Sequence, residues 1–285
     1  ECLGCLRDAL GPADSIWVVD NDSSDGSKEE IPPLLKSNET WLPTGANLGY
    51  AGGNNRGLRE ALKRGAKYVL IINPDCRVAP GSMEPLVDAL ESRADAGIAN
   101  PLILGQDGET VQAAGGAFNP WTGRAWRRGH GQPKAAFSAQ GAIFEADYPH
   151  GACMLLKAQM LEDVGLLNET YFLYGEDVEL GLRARRKGWK ILVVPGSTAR
   201  HHDTTAEKRG DPVVNYYATR NQIWVQRQYA DAVRLSVFLV VSVSFFWPRK
   251  VLVRLALGAL GAARAVLRGV RDGLLRSDFK SGVPF

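Results

Sequence analysis

The stretch SIWVVDNDSSDGS, residues 15–27, is a short apolar run that ends in an acid and is followed by turn-forming residues. Such a run is typical of a buried parallel strand, here over residues 15–20. The pattern returns in KYVLIINPD, where residues 67–72 predict a second buried strand that ends just before Asp75. Because ligands bind beyond the carboxyl ends of strands in open α/β sheets, Asp20 and Asp75 are expected at a ligand-binding edge.

Helices and further strands are predicted around these two runs. The predicted helices cover residues 1–10, 28–36, a stretch ending at 64, and residues 81–92, 158–164 and 216–229. Shorter strands are predicted at 40–43, 97–101, 151–157 and 190–194. This alternation predicts an α/β fold with a mostly parallel central sheet flanked by helices. Residues 105–142, rich in Gly, Trp and Arg, are predicted to form a long irregular lid or acceptor loop.

Composition agrees with a folded protein and excludes several classes. Of the 285 residues, 45% are hydrophobic and 23% are charged, which is usual for a globular chain. The four cysteines are scattered, so we expect a reducing compartment rather than a disulfide framework. The Gly/Asn-rich stretch at 47–57 matches neither a G-x-G-x-x-G fingerprint nor a P-loop, which argues against a dinucleotide oxidoreductase and a P-loop kinase.

The C-terminal segment differs from the rest of the chain. Its uncharged run at 235–247 is shorter than the about 20 residues that a membrane-spanning helix needs. Beyond it, helical spacing places one set of basic residues on a single face: Lys250, Arg254, Arg264, Arg268 and Arg271. This pattern predicts an amphipathic helix on an anionic membrane surface, with packing on the catalytic domain or a true span as alternatives. Few aromatic residues interleave the basic ones, so nucleic acid is not expected as a partner.

Candidate metal and phosphate ligands follow the predicted strands. Mg²⁺ and Mn²⁺ prefer carboxylate oxygens and often share phosphate oxygens with a substrate, and Asp75 can meet such a metal–diphosphate group. Asp20 and Asp22 end the neighbouring strand. The alternative for Asp22 and Asp75 is that each carboxylate caps the helix that follows. His201 and His202 come after the last predicted strand and are a candidate metal or diphosphate contact, or else two surface histidines.

A second acidic cluster, Glu176, Asp177 and Glu179, lies at a predicted helix start. A carboxylate held near a reacting centre can serve as a general base. The alternative is an ordinary charged helix face.

Taken together and in order, several blocks make the sequence resemble family 2 glycosyltransferases, in particular the rhamnosyltransferase-like branch of bacterial cell-envelope biosynthesis. The blocks are VVDNDSSDGS (18–27), NLGYAGGNNRG (47–57), INPDCRV (72–78), GACMLLK (151–157), FLYGEDVELGLRARRKGWK (172–190) and ARHH (199–202). The resemblance covers about residues 1–230 and implies a GT-A nucleotide-diphospho-sugar transferase domain there. The apolar and basic pattern beyond it predicts a helical, membrane-associating tail over 231–285.

The resemblance also implies roles for individual residues. Donor binding would fall to Asp20, Asp22, Asn47, Asn54, Asn73 and Asp75. Asn73-Pro74-Asp75 stands where the family has its DXD motif, so Asp75 would bind the metal–diphosphate with His201 or His202. Asp177 would be the general base, and Glu176 is the less favoured choice.

The implied function is an inverting, metal-dependent transfer of a sugar from a nucleotide-sugar donor to a cell-envelope glycan or polyprenyl-linked acceptor. The first expected donor is dTDP-rhamnose, ahead of a UDP-sugar, with Mg²⁺ or Mn²⁺ as cofactor. The expected location is the cytoplasm, peripheral on the inner face of the plasma membrane. The alternatives are a sugar-nucleotide nucleotidyltransferase and a non-catalytic membrane-associated scaffold. Family members begin with a strand that this sequence lacks, so we expect further residues upstream.

Overall fold

The computed structural model describes residues 1–138, 141–202 and 210–276, so residues 277–285 of the predicted tail lie outside the described residues. The strands are β1 (Ile16–Asp20), β2 (Glu39–Pro43), β3 (Tyr68–Ile72), β4 (Cys76–Val78), β5 (Ala96–Leu104), β6 (Val111–Ala113), β7 (Gly116–Asn119), β8 (Arg124–Arg127), β9 (Phe144–Ala146), β10 (Cys153–Lys157) and β11 (Lys190–His201). The helices are α1 (Cys2–Ala9), α2 (Ser27–Glu30), α3 (Gly49–Lys63), α4 (Met83–Glu91), α5 (Ala135–Ser138), α6 (Ala158–Val164), α7 (Glu176–Arg186), α8 (Pro212–Tyr229), α9 (Ala232–Val241), α10 (Trp247–Ala256) and α11 (Leu260–Leu275).

The central sheet has the strand order β3-β10-β5-β11-β4, with β6 added to β5 and β9 added to β11. Every residue of β5 is buried, because both faces of this strand are covered. Helix α4 packs on one side, against β5 and β11. The other side faces the cluster formed by α3, α6 and α7. The α/β class predicted from the sequence is therefore confirmed.

The direction of the strands differs from the mostly parallel prediction. β11 is parallel to β5, but β10 is antiparallel to both of its neighbours, β3 and β5. The sheet is mixed because β10, which comes late in the chain, inserts between two strands that precede it. β3, β5 and β11 still run in one direction, so their carboxyl ends share one edge of the sheet.

A smaller parallel sheet of β1 and β2 packs against α3. Helix α3 includes most of the Gly/Asn-rich stretch, which was expected to lead into a helix rather than to form its first turns. Gly49 begins this helix with φ of 71°, and a Cβ there would lie 2.3 Å from the carbonyl oxygen of Phe172. A glycine is therefore required where α3 meets the turn before α7.

The segment 105–142 is more ordered than the long irregular loop that was expected. It contains β6, the antiparallel hairpin of β7 and β8, and α5, while residues 139–140 lie outside the described residues. Two amides of α8 hold the tip of the hairpin: Gln222 donates to the Gly123 carbonyl at 3.2 Å, and Gln226 donates to the Pro120 carbonyl at 3.1 Å.

Helix α8 connects the α/β part of the molecule to its C-terminal helices. Asp211 caps its N-terminus by accepting a hydrogen bond from the backbone N–H of Val213 at 2.7 Å. Helix α11 packs closely along α8, since a Cβ on Gly269 would lie 2.7 Å from the carbonyl oxygen of Tyr216. The small residues of α11 allow this approach.

Helices α9 and α10 form one continuous helix, Ala232–Ala256, joined by the π-helical segment Ser242–Phe246. Among the described residues it is the one helix long and apolar enough to cross a membrane, and 17% of its apolar window is buried in the protein. It is longer than the uncharged run at 235–247, because that run is only the middle of the helix. One such helix is weak evidence of a span.

The predicted basic face does not exist as one surface. The chain breaks at Gly258 between α10 and α11, so helical spacing does not carry through the segment. Lys250 donates to the Thr219 hydroxyl at 2.7 Å, and Arg254 donates to the Asn215 side chain at 3.0 Å, so both point toward α8. Arg264, Arg268 and Arg271 are exposed on α11.

Candidate active site

The predicted base lies at the first turn of α7. Glu176 is buried and its Oε2 makes no hydrogen bond within the described residues. Half-buried Asp177 accepts hydrogen bonds from the backbone N–H of Val178 at 2.8 Å and of Gly151 at 3.4 Å. The second contact ties α7 to the loop before β10.

Burial raises the pKa of both carboxyl groups. The pKa of Glu176 rises to about 8, first because of burial and then because of the charge of Asp177. Burial also raises the pKa of Asp177, to about 6, against the stabilising backbone N–H groups of Val178, Gly151 and Asp177 itself. Two buried neighbouring carboxyl groups resist ionising together, and the backbone N–H groups that reach Asp177, which Oε2 of Glu176 lacks among the described residues, favour the charge on Asp177.

Tyr50, from the first turn of α3, closes the wall beside Asp177. Its hydroxyl donates to the carbonyl oxygen of Gly151. Its backbone N–H donates to the carbonyl oxygen of Phe172 at 2.7 Å. Tyr50 thus links the loop before β10 to the turn before α7, the two segments that contact Asp177.

The turn that leads into α7 has an unusual backbone. Phe172 and Tyr174 have φ of 62° and 64°, and Gly175 follows with φ of 92°. Positive φ values cost free energy for residues with side chains, so the surrounding structure must hold this turn in place.

Arg220 and Asn221 of α8 hold the turn through its carbonyl oxygens. The Asn221 amide donates to the carbonyls of Tyr171 at 3.0 Å and Leu173 at 2.9 Å, and also to that of Tyr174. Arg220 donates to the carbonyl of Tyr171 at 2.9 Å and to the Asn221 side chain at 2.8 Å. Both residues are buried. This arrangement, the α8 clamp, connects α8 to the position of Asp177.

The candidate metal ligands meet at the carboxyl edge of the sheet. His201 ends β11, and its Nε2 lies 3.4 Å from Oδ1 of Asp75, which follows β3. The other ring nitrogen of His201 lies 3.1 Å from Oε1 of Gln112. The ring of His150 is 6.0 Å from that of His201.

Two protein ligands at this spacing suit a divalent cation that takes its remaining oxygen ligands from a diphosphate and water. Within the described ranges no group of three or more His, Cys, Asp or Glu residues is close enough to hold a metal. The role of Asp75 and His201 as metal ligands stays a prediction. The side chain of His202 is exposed, and its backbone N–H donates to the Asp75 carbonyl at 3.3 Å.

Asp20 and Asp22, at the end of β1, differ in their surroundings. Asp20 is buried; its Oδ1 accepts from the backbone N–H of Ser23 at 3.1 Å, and its Oδ2 has no partner within the described residues. Asp22 is exposed and forms an ion pair with Lys28 at 2.8 Å. It caps no helix, since no side chain caps α2.

The three candidate asparagines have separate positions. Oδ1 of Asn47 accepts from the backbone N–H of Gly49 at 3.0 Å and so orders the start of α3. The amide of Asn54 donates to the Tyr50 carbonyl of its own helix at 2.9 Å. Asn73 follows β3, and its backbone N–H donates to the Ala152 carbonyl at 2.9 Å. Their role in donor binding stays a prediction.

Residues 37–225 match the sequence profile of the family described as "Glycosyltransferase like family 2". A curated N-acetylglucosaminyl-diphospho-decaprenol L-rhamnosyltransferase of Mycobacterium tuberculosis is 30% identical over 230 residues, which are 74% of this chain and 73% of the relative. The chain belongs to glycosyltransferase family 2. The low-salt glycan biosynthesis hexosyltransferase Agl10 of Haloferax volcanii is 31% identical over 176 residues, which cover 61% of the glycosyltransferase described here and 54% of Agl10.

Solved structures show the fold of this glycosyltransferase. GalNAc-T7 with UDP, GalNAc and Mn²⁺ superposes with a TM-score of 0.63 at 16% identity, covering 81% of this chain and 45% of that one. Mannosyltransferase PcManGT from Pyrobaculum calidifontis, with GDP-Man and Mn²⁺, gives a TM-score of 0.52 at 15% identity, covering 97% and 71%. At these identities the likeness concerns the fold alone, and it confirms the GT-A prediction.

Sequence reasoning missed Tyr50, Gly151 and the α8 clamp of this glycosyltransferase. Tyr50 and Gly151 lie inside quoted blocks but carry no charge, so they did not stand out as candidates. The clamp residues lie in YYATRNQ (216–222), which was interpreted only as a helix. An Arg-Asn pair among aromatic residues in a buried helix was the available signal, because buried polar side chains need partners.

Proposed function

We propose that this glycosyltransferase transfers L-rhamnose, with inversion, from dTDP-rhamnose to a lipid-linked glycan acceptor, with a divalent cation as cofactor. The sugar and the acceptor class are taken from the resemblance to the rhamnosyltransferase branch and from the name of the mycobacterial relative. The observation that carries the reaction type is the carboxyl pair at the start of α7, in which Asp177 is held by the backbone N–H groups of Val178 and Gly151 and buried Glu176 lies next to it.

In the proposed mechanism, Asp177 removes the proton from an acceptor hydroxyl as the hydroxyl oxygen attacks the anomeric carbon. A new C–O bond forms on the face opposite the nucleotide, and the bond between the anomeric carbon and the diphosphate oxygen breaks. The electron pair of that bond leaves with the nucleotide diphosphate. Protonated Glu176 keeps a second negative charge away from Asp177, which preserves a single base.

On the donor side, Asp75 and His201 would hold Mg²⁺ or Mn²⁺, which when bound neutralises charge on the diphosphate. The Oδ2 of Asp20 is available to accept a hydrogen bond from the nucleoside, because it is buried and no donor reaches it from the described residues. Asp22, Asn47, Asn54 and Asn73 are proposed to complete the donor pocket, and His202 is kept as the alternative metal contact.

We also infer peripheral association with the cytoplasmic face of the plasma membrane. Exposed large apolar side chains concentrate on the C-terminal helices: Val233, Val237, Val240, Val243, Phe245, Leu252, Val253, Leu255, Leu257, Leu260, Leu267, Leu274 and Leu275. An apolar surface of this extent is typical of a lipid or partner contact. The exposed arginines of α11 would face anionic headgroups beside it.

The test is initial-rate transfer by the full chain, with a panel of dTDP- and UDP-sugars and a sugar-diphospho-polyprenol acceptor. We expect transfer from one dTDP-sugar, loss of donor binding in EDTA by calorimetry, and a product of inverted configuration by NMR.

A base variant sharpens the test. Asp177→Asn should lower kcat by about 10²–10⁴-fold, the usual contribution of a general base, and leave donor binding intact. Asp163→Asn, an exposed carboxylate on α6 paired with Lys187, is the matched control and should keep wild-type kcat. Equal activity of the two variants would remove Asp177 from the mechanism.

A further inference from the structure

A cavity of about 270 Å³ lies between the β7–β8 hairpin, the first turn of α7 and one face of α8. On the α7 side its wall is made by Tyr174, Gly175 and Val178, which flank the Glu176–Asp177 pair in sequence. Glu176 and Asp177 do not themselves line the cavity, so what the cavity shares with the candidate base is the first turn of α7.

Arg124, at the start of β8, carries the only charge among the described residues that line the cavity. Its side chain is exposed, and its guanidinium lies 5.9 Å from the centre of the Phe246 ring. Arg124 makes no hydrogen bond or ion pair within the described part of the chain, so its N–H donors remain available to an anion.

The position of Arg124 is fixed from α8. Gln222 donates to the carbonyl oxygens of Thr122 at 3.4 Å and Gly123 at 3.2 Å, the two residues before Arg124. Asn221, the next residue along α8, belongs to the α8 clamp on the turn before α7. Helix α8 thus helps to position both Arg124 and the turn that leads to the candidate base.

The third part of the arrangement is the apolar helix Ala232–Ala256. Its π-helical segment, Ser242–Phe246, brings Phe246 beneath Arg124. Val243 and Phe245 in the same segment, and Val240 just before it, are exposed. π-Helical turns are rare and occur frequently at functional sites.

We propose that Arg124 binds the diphosphate of a lipid-linked acceptor whose sugar enters the cavity toward Asp177 and whose hydrocarbon lies along the exposed face of helix Ala232–Ala256. This rests on the function proposed above. Such an acceptor carries a hydroxyl, a diphosphate and a hydrocarbon in sequence. Arg124 lines the cavity with sequence neighbours of Asp177 and contacts the apolar helix at Phe246, and arginine matches a diphosphate in charge and geometry.

The experiment compares Arg124→Gln with wild type on two acceptors that share one sugar, a sugar-diphospho-polyprenol and an uncharged alkyl glycoside. We expect KM for the diphosphate acceptor to rise about tenfold, the usual effect of losing a charge-assisted contact, while KM for the alkyl glycoside and for the donor stays unchanged. Arg64→Gln is the control, because Arg64 is also exposed over an aromatic ring, at 5.2 Å from that of Trp17 on another face. An equal change on both acceptors, or none on either, overturns the proposal.

Binding of decaprenyl diphosphate in detergent micelles separates this proposal from the proposed function. If wild type transfers to neither acceptor, the acceptor class fails, yet weaker calorimetric binding by Arg124→Gln than by wild type would still support the diphosphate site. Equal binding by both proteins overturns it. Binding to phosphatidylglycerol vesicles is the last arm. If Arg124→Gln loses as much affinity for these vesicles as for decaprenyl diphosphate, the arginine contacts lipid headgroups in general. That result would overturn the diphosphate assignment.

Discussion

Replacing Asn221 by alanine tests whether the α8 clamp positions the base. The variant removes the hydrogen bonds from the Asn221 amide to the carbonyls of Tyr171, Leu173 and Tyr174, and the one that its side chain accepts from Arg220. At about 1 kcal/mol net for each hydrogen bond, the free energy of unfolding should fall by about 4 kcal/mol. A domain stable by about 5–15 kcal/mol survives this loss and can be assayed.

Asn55→Ala is the matched control. Asn55 is 1% exposed, as is Asn221, and its side chain makes three hydrogen bonds, against four for Asn221, to the backbone of Leu167 and the carboxylate of Glu169. Its loss should therefore cost a similar free energy of unfolding. None of these contacts is to the carbonyl oxygens of Tyr171, Leu173 or Tyr174, so they should affect the position of the base less.

The assay measures kcat and donor KM well below the melting temperature of both variants. We expect kcat to fall about 10–100-fold in Asn221→Ala, part of the general-base contribution, with donor KM within about twofold of wild type. Asn55→Ala should stay within about threefold of wild-type kcat, since only its stability is changed. If both variants lose stability and kcat in parallel, the clamp acts on folding alone and the positioning argument is refuted.

Other predictions follow from burial and packing. Glu176→Gln should keep kcat within about tenfold of wild type, because a neutral amide resembles the protonated carboxyl. The raised pKa of Glu176 means that wild type loses stability as the pH rises through about 8. The variant should retain that stability in melting curves from pH 6 to 9. Gly49→Ala should lower the melting temperature far more than Gly45→Ala, because both have positive φ but only the first new Cβ meets a backbone oxygen. Leu252→Glu should weaken co-sedimentation with anionic vesicles at an unchanged melting temperature. Leu34→Glu is the control and should not, although Leu34 is 60% exposed and Leu252 is 64% exposed. Equal vesicle binding by the two variants would contradict the membrane contact.

The positions where strands end were predicted from the sequence better than the order and direction of the strands in the sheet. The runs that end at Asp20 and just before Asp75 were visible because a buried strand is short, apolar and closed by turn formers. The helix at 158–164 was predicted to the residue. The antiparallel insertion of β10 was not, because local alternation of strands and helices carries no information about which strands become neighbours.

In the candidate site, ionisable residues could be singled out from the sequence, whereas uncharged residues could not. Asp177 and His201 stood out as ionisable groups in characteristic blocks, and the structure places each beside other polar groups at the sheet edge. Asn221 could not be singled out, because its role depends on three carbonyl oxygens nearly fifty residues away. The prediction of one basic face in the tail was wrong for another reason. It assumed a continuous helix through Gly258, where the backbone breaks.

The close packing of α11 on α8 has a practical consequence for anyone who wants a water-soluble form of this enzyme. The obvious route, truncation after residue 230, would uncover Tyr216 and Ile223, which are buried beneath Gly269 and Gly273. It would also loosen the helix that steadies the catalytic turn. A water-soluble form is better obtained by replacing exposed apolar residues of the last helices with polar ones. The protein would then lose affinity for lipid and keep the packing of α11 on α8.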